Sequence, residues 1–208
     1  AAHLGPEATE ALYRREPGVV LAVCSDDARL SRLIRFFVLR RPATAEALGE
    51  MLTPKLALSL IDDHLVLPVP DSSTYRIAVE VRPHVVAGTP RLVLSDLDAS
   101  MTDRVPGRDH VLGVGSASLS LLSATPCTPV DSVLDLGTGS GVQALAQADN
   151  ATHVVATDVH ARALAFAEAT LRANGVDNVE LRQGEWFDPV QGELFDRIVA
   201  NPPFVVGL

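Results

Sequence analysis

Apolar residues recur in two different rhythms along this chain, and the change of rhythm divides it. After Ser25-Asp26-Asp27, a capping cluster with acids for a first turn, Leu30, Leu33, Ile34, Phe37 and Val38 return at helical spacing until Pro42 stops them. Thr44 before residues 45–51 predicts a short second helix. Thr53-Pro54 places a cap before a first-turn proline, predicting a third helix to about Ile61. Strand-like runs follow at 64–69 and 75–81, separated by the turn signal Pro70-Asp71-Ser72-Ser73.

Three short helices and a hairpin predict a small winged-helix-like α+β module. In such modules the third helix usually enters the DNA major groove. Here it offers Lys55 against Asp62 and Asp63, so it reads better as a packing or recognition helix. Arg29, Arg32, Arg35, Arg40 and Arg41 form either a basic stripe or a solvated face.

The second rhythm starts after a connecting strand at 91–98 and a polar linker at 102–109. A short helix is predicted at 116–122 and a loop at 126–129. Strand 132–136, helix 142–148, strand 153–157, helix 161–173, strand 178–182 and strand 195–200 then alternate. That order predicts α/β architecture with a parallel sheet and helices on its faces. The expected domains are residues 1–109, the recognition module and linker, and residues 110–208.

Composition narrows the classes. With 208 residues and 47% hydrophobic content the chain can bury a core. Its longest apolar stretch, residues 19–24, is too short to cross a bilayer, and the first residues carry no basic leader or apolar signal core. Cys24 and Cys127 have no metal-ligand spacing. A reduced, cytoplasmic setting, without metal or membrane partner, is expected. Residues 1–110 carry 13 Lys/Arg against 15 Asp/Glu, and residues 111–208 carry 4 against 11. The acidic second half is a poor phosphate-binding surface, so any grip on nucleic acid falls to arginines of the first half.

The chemistry lies at strand ends. Asp135-Leu136-Gly137-Thr138-Gly139-Ser140-Gly141 follows one strand and precedes a helix, where glycines permit positive φ and close ligand approach. Val142 stands where a dinucleotide fingerprint wants glycine, which disfavours a nucleotide-dependent oxidoreductase. Asp158 ends the next strand, as a ribose acceptor or a helix cap. Trp186, in Gly184-Glu185-Trp186-Phe187, offers a stacking face or fills core. Asn201-Pro202-Pro203-Phe204 ends the last strand. Its prolines fix φ, so it presents rigid carbonyl acceptors or makes a simple turn.

In this order, the motifs resemble class I S-adenosylmethionine (SAM) N-methyltransferases, including ribosomal RNA guanine and adenine methyltransferases and release-factor glutamine methyltransferases. The resemblance covers residues 110–208. It implies a Rossmann-like sheet, apparently C-terminally incomplete, since four of seven strands are supplied. It also implies that Gly137, Thr138, Gly139 and Gly141 carry the methionine part of SAM, with Asp135 near the amino group. Asp158 would take the ribose, Glu185 and Trp186 would lie beside adenine, and residues 113–116 would fold over the cofactor. Asn201 and the Pro202 carbonyl would grip a planar NH2 group next to SAM, with Phe204 stacked on it. Many relatives have Tyr at that last position; Phe is familiar among guanine-modifying enzymes. The expected acceptor is an RNA base, most of all ribosomal, and the alternative is a protein glutamine. A small-molecule amine and a non-catalytic binding module that retains SAM are the remaining readings.

Overall fold

The computed structural model describes residues 3–14, 16–98, 107 and 109–202. They form two compact units, residues 1–80 and 81–208.

The first unit opens with two helices that the apolar rhythm did not disclose, α1 (Gly5–Tyr13) and α2 (Pro17–Val23), each with proline in its first turn. Leu4, Ala8, Ala11, Val20 and Cys24 bury together between them. Next come α3 (Arg29–Leu33), continued by a π turn over Ile34–Val38, then β1 (Ala43–Thr44), α4 (Ala45–Met51), α5 (Pro54–Asp62), β2 (Val66–Pro68) and β3 (Thr74–Ile77). The π turn shifts the helical period, so Phe36 is the fully buried aromatic and Phe37 meets it edge-on at 5.1 Å. Thr44 and Thr53 cap α4 and α5 as expected, accepting from Ala47 N and Leu56 N, each at 3.2 Å. The sheet is antiparallel in the order β1-β3-β2.

The arginines are mostly neither stripe nor solvated face. Arg29 Nε donates to Met51 O at 2.7 Å, and Arg32 pairs with Glu50 at 2.6 Å. Arg35 donates to the carbonyls of Cys24 and Asp26, and Arg40 meets Glu80 at 2.7 Å. These cations close helix ends and link elements.

β4 (Val79–Val86) straddles the division and pairs with β5 (Thr89–Asp96) through Ala87-Gly88. Those two turn residues have φ of 47° and 81°, the left-handed pair that two-residue hairpins use. From sequence, one strand ends at Val81 and the next begins at Arg91, and the polar linker 102–109 sets the expected domain boundary at 109/110, whereas the compact units divide at 80/81. Most of the hairpin belongs to the second unit for a packing reason. Val86 and Val93 share a core with Val142, Leu145, Ala146 and Leu171.

The second unit continues with α6 (Ser116–Ala124), β6 (Val130–Leu136), α7 (Val142–Ala148), β7 (Ala151–Asp158), α8 (Ala161–Ala173), β8 (Val179–Gln183), a 3-10 turn at Asp188–Val190 and β9 (Arg197–Ala200). β6 to β9 make one parallel sheet in the order β8-β7-β6-β9. Alternating residues of β6 feed its two faces. Val133 packs with Ala144, Val154, Ala156 and Val199, and Leu134 and Leu136 pack with Val155 and Val190.

α8 also meets β5 by an unusual route. Asn174 takes both backbone groups of Leu92, accepting from its N–H at 3.0 Å and donating to its carbonyl at 2.7 Å. Thr170 Oγ1 accepts from Leu94 N at 3.0 Å. Asp96, at the end of β5, accepts from Val111 N and from both arms of the Arg162 fork, which fixes the entry to α6. Burial works to raise the Asp96 pKa, but Arg162 and the Val111 N–H hold it below the ordinary range. Among the described residues, no helix is long and apolar enough to cross a membrane.

Candidate functional site

The sheet order creates a switch point beside β6. The chain leaves β6 through α7 to β7 on one side, and β9 enters on the other. Ligands of open α/β sheets bind outside the carboxyl ends of strands at such a place. Leu136 and Ala200 are register partners, so the glycine turn and Asn201 emerge side by side.

The turn is shaped by its own backbone. Gly137, Gly139 and Gly141 have φ of 74°, 55° and 82°. Gly137 N and Thr138 N both donate to Thr157 O, at 2.9 and 2.8 Å, tying the turn to the end of β7. Gly141 has a second reason to be glycine, since a Cβ there would lie 3.0 Å from Ala167 Cα of α8. A Cβ on Gly137 or Gly139 would meet nothing within 4 Å, so their outer side is open.

Two acids secure this turn from different sides. Asp135 is buried, and its Oδ2 accepts from Thr138 Oγ1 at 2.7 Å and from Ala144 N at 3.0 Å. Burial pushes its pKa up to about 6 against those two bonds, and nearby Asp158 pushes the same way. Asp158 is half-buried. Its Oδ2 accepts from Gly139 N and its Oδ1 from His160 N, both at 3.0 Å. It thus turns the chain toward α8 and touches the glycine loop, and each oxygen keeps a further lone pair.

The loop after β8 returns to the same strand end, where Gly184 N donates to the Asp158 carbonyl at 3.0 Å. A Cβ at Gly184 would collide with the Pro189 ring. Trp186 has φ of 48° and is 60% exposed, so it is not core; Glu185 and Phe187 are exposed beside it. A bulky residue held left-handed with its ring in solvent is strained backbone at an open surface.

Asn201 is half-buried and Pro202 exposed, while Pro203 and Phe204 lie outside the described residues. Asn201 Nδ2 donates to Ser118 Oγ of α6 at 3.3 Å. Gln143 of α7 donates from Nε2 to Ser118 O at 3.0 Å, with its own Oε1 buried and without a partner among the described residues. Sequence reasoning missed Ser118 and Gln143. The only signal was a serine inside an otherwise apolar helix face.

Residues 112–208 match the family described as methyltransferase small domain. That match lies within the second unit, so the similarity to methyltransferases rests on this unit. Residues 1–77 match a domain family of unknown function, DUF7059. Among curated proteins, a release factor glutamine methyltransferase of Aliivibrio fischeri is 43% identical over 79 residues, covering 36% of this chain and 28% of that protein. One from Xylella fastidiosa is 47% identical over 75 residues, covering 35% and 27%. A bifunctional methyltransferase of Rickettsia prowazekii is 29% identical over 150 residues, covering 70% and 24%. The chain thus spans roughly a quarter of the length of these relatives. Among solved structures, a T. thermophilus 16S rRNA N2 methyltransferase with AdoMet and guanosine superposes with a TM-score of 0.48 and 21% identity, covering 76% of this chain and 45% of that one.

Proposed function

We propose that the protein transfers a methyl group from SAM to a planar NH2 nitrogen at the switch point of its second unit. The observation that carries this reading is the register of Leu136 with Ala200, which sets a cofactor-type glycine turn beside an acceptor-type Asn-Pro. The residues fit SAM. Gly137 and Gly139 are open on their outer side, Asp158 has lone pairs for ribose hydroxyls, and Trp186 exposes a face for adenine. Thr138 holds the turn closed, and Asp135 braces it from within. SAM supplies an electrophilic methyl group on a sulfonium, and the protein's task is to place the nitrogen in line with it.

An amide or aryl amine is a weak nucleophile because its lone pair is delocalised. Asn201 Oδ1 and the Pro202 carbonyl accept from its two hydrogens, which favours pyramidal nitrogen and frees the lone pair. Fixed acceptors do this without reorganising. Phe204 stacks on the planar group in this reading.

Two acceptors fit. A protein glutamine takes first place. A release factor glutamine methyltransferase is 43% identical over 79 residues, and four arginines meant for RNA phosphates are tied within the first unit. An RNA base, the leading expectation from sequence, is second. In its support we read α3, α4, α5 and the β1-β3-β2 sheet of the first unit as a winged-helix-like module. The test uses full-length protein, labelled SAM and extract from cells lacking the protein. Label destroyed by protease and resistant to ribonuclease is expected; the opposite pattern establishes RNA, and no transfer at all overturns the methyltransferase reading.

A further inference from the structure

We infer that Ser118 is a positioning residue for Asn201, holding its side-chain amide in place beside the methyl acceptor. The inference rests on the proposed function and adds a residue that neither motif contains. An asparagine amide is nearly symmetric in shape, but only its oxygen can accept from an NH2 group. A free Asn201 would present its amide nitrogen part of the time, and two donors would then face each other. In the structure, Nδ2 donates to Ser118 Oγ at 3.3 Å, an arrangement that holds the amide and turns Oδ1 away from the helix contact.

Ser118 suits this task because it is buried and its backbone is held. It lies in the helix α6, is 9% exposed, and has its own carbonyl held by Gln143 Nε2 at 3.0 Å. Gln143 is itself buried in α7, two residues after the glycine turn ends. Three elements therefore converge on the acceptor side. α7 fixes α6 through Gln143, and α6 fixes the residue after β9 through Ser118. The same α7 begins at the cofactor turn, so the amide is referenced to the place where the methyl group must arrive. A shift in either helix moves the acceptor grip relative to the cofactor, and misplacement of about an ångström lowers rates strongly.

The test separates the hydroxyl from packing by using an isosteric pair. Ser118→Thr keeps the hydroxyl, and Ser118→Val replaces it with methyl at the same volume and with the same branching. Full-length variants are compared by calorimetric SAM affinity and by methyl transfer from labelled SAM into the extract described above. We expect Ser118→Val to transfer roughly tenfold more slowly with unchanged SAM affinity, and Ser118→Thr to recover most of the rate. In an Asn201→Ala background, Ser118→Val is expected to add little, because the two residues act as a unit. Equal rates for the Thr and Val variants, or full additivity with Asn201→Ala, overturn the inference. A readout independent of turnover covers the case in which the proposed reaction itself fails. The nitrogen-15 side-chain amide signal of Asn201 should move to the solvent-exposed position in Ser118→Val and not in Ser118→Thr. An unmoved signal in Ser118→Val refutes the role of Ser118 whatever the reaction proves to be.

Discussion

The Asp158 carboxylate holds the backbone N–H of Gly139 at 3.0 Å across the gap between the ends of β6 and β7. This contact makes the acid part of the cradle before any cofactor arrives. Removing it loses the shape of the turn and, in the proposed reading, the acceptors for a ribose. Asp158→Ala is expected to weaken SAM binding by roughly tenfold to a hundredfold, equivalent to about 1.5–3 kcal/mol. Asp158→Asn retains one oxygen and should fall between. Calorimetry decides; unchanged affinity in a folded Asp158→Ala protein removes Asp158 from the site.

Asp135 predicts a pH dependence with a definite sign. Its folded pKa is about 6, above the ordinary 3.8, so its ionised form is disfavoured in the fold. The stability associated with its protonated form is fully present below about pH 4 and is lost as pH rises through about 6. The loss is on the order of 3 kcal/mol in the SAM-free protein. Asp135→Asn, which cannot ionise, should flatten that part of the profile in urea unfolding between pH 4.5 and 7.5. Parallel profiles for parent and variant would contradict it.

Trp186 is the only tryptophan of the chain, which makes it an optical probe. Free protein should emit as a solvated indole, and saturating SAM should quench or blue-shift that emission. No spectral change at a concentration that saturates by calorimetry places the adenine elsewhere. Because φ at this residue is 48°, Trp186→Gly should also relieve strain, raising stability by about 1 kcal/mol while SAM binding weakens.

The three turn glycines should not be equivalent. Gly139→Ala introduces only a left-handed alanine, costing about 1–2 kcal/mol of stability. Gly141→Ala adds a contact at 3.0 Å with Ala167 Cα, so its loss should be larger, about 2–4 kcal/mol. Urea unfolding ranks them, and the reverse order would show that the α7–α8 approach can relax.

The parts of the second unit with strong local signals were legible. Residues 142–148 and 161–173 form α7 and α8 at the boundaries read from their apolar period. The glycine turn and Asn201 sit together because strand ends are written in Gly, Asp and Pro. Contacts made by ordinary residues were not legible. Ser118 and Gln143 carry no motif and acquire their importance only when α6 and α7 meet. In the first unit, Arg29 and Arg35 looked like surface charge, since nothing local says that a guanidinium will fold back onto Met51 or Cys24 carbonyls. Trp186 also divided the readings until its exposure was seen.

The amide of Asn174 has a consequence outside stability and catalysis. By occupying both backbone groups of Leu92, it does for β5 what a neighbouring strand would do, and Thr170 does the same at Leu94 N. An edge blocked in this way offers no template to a second molecule. Loss of Asn174 bares that stretch of edge, and the expected outcome is protein that clumps while its individual copies remain folded.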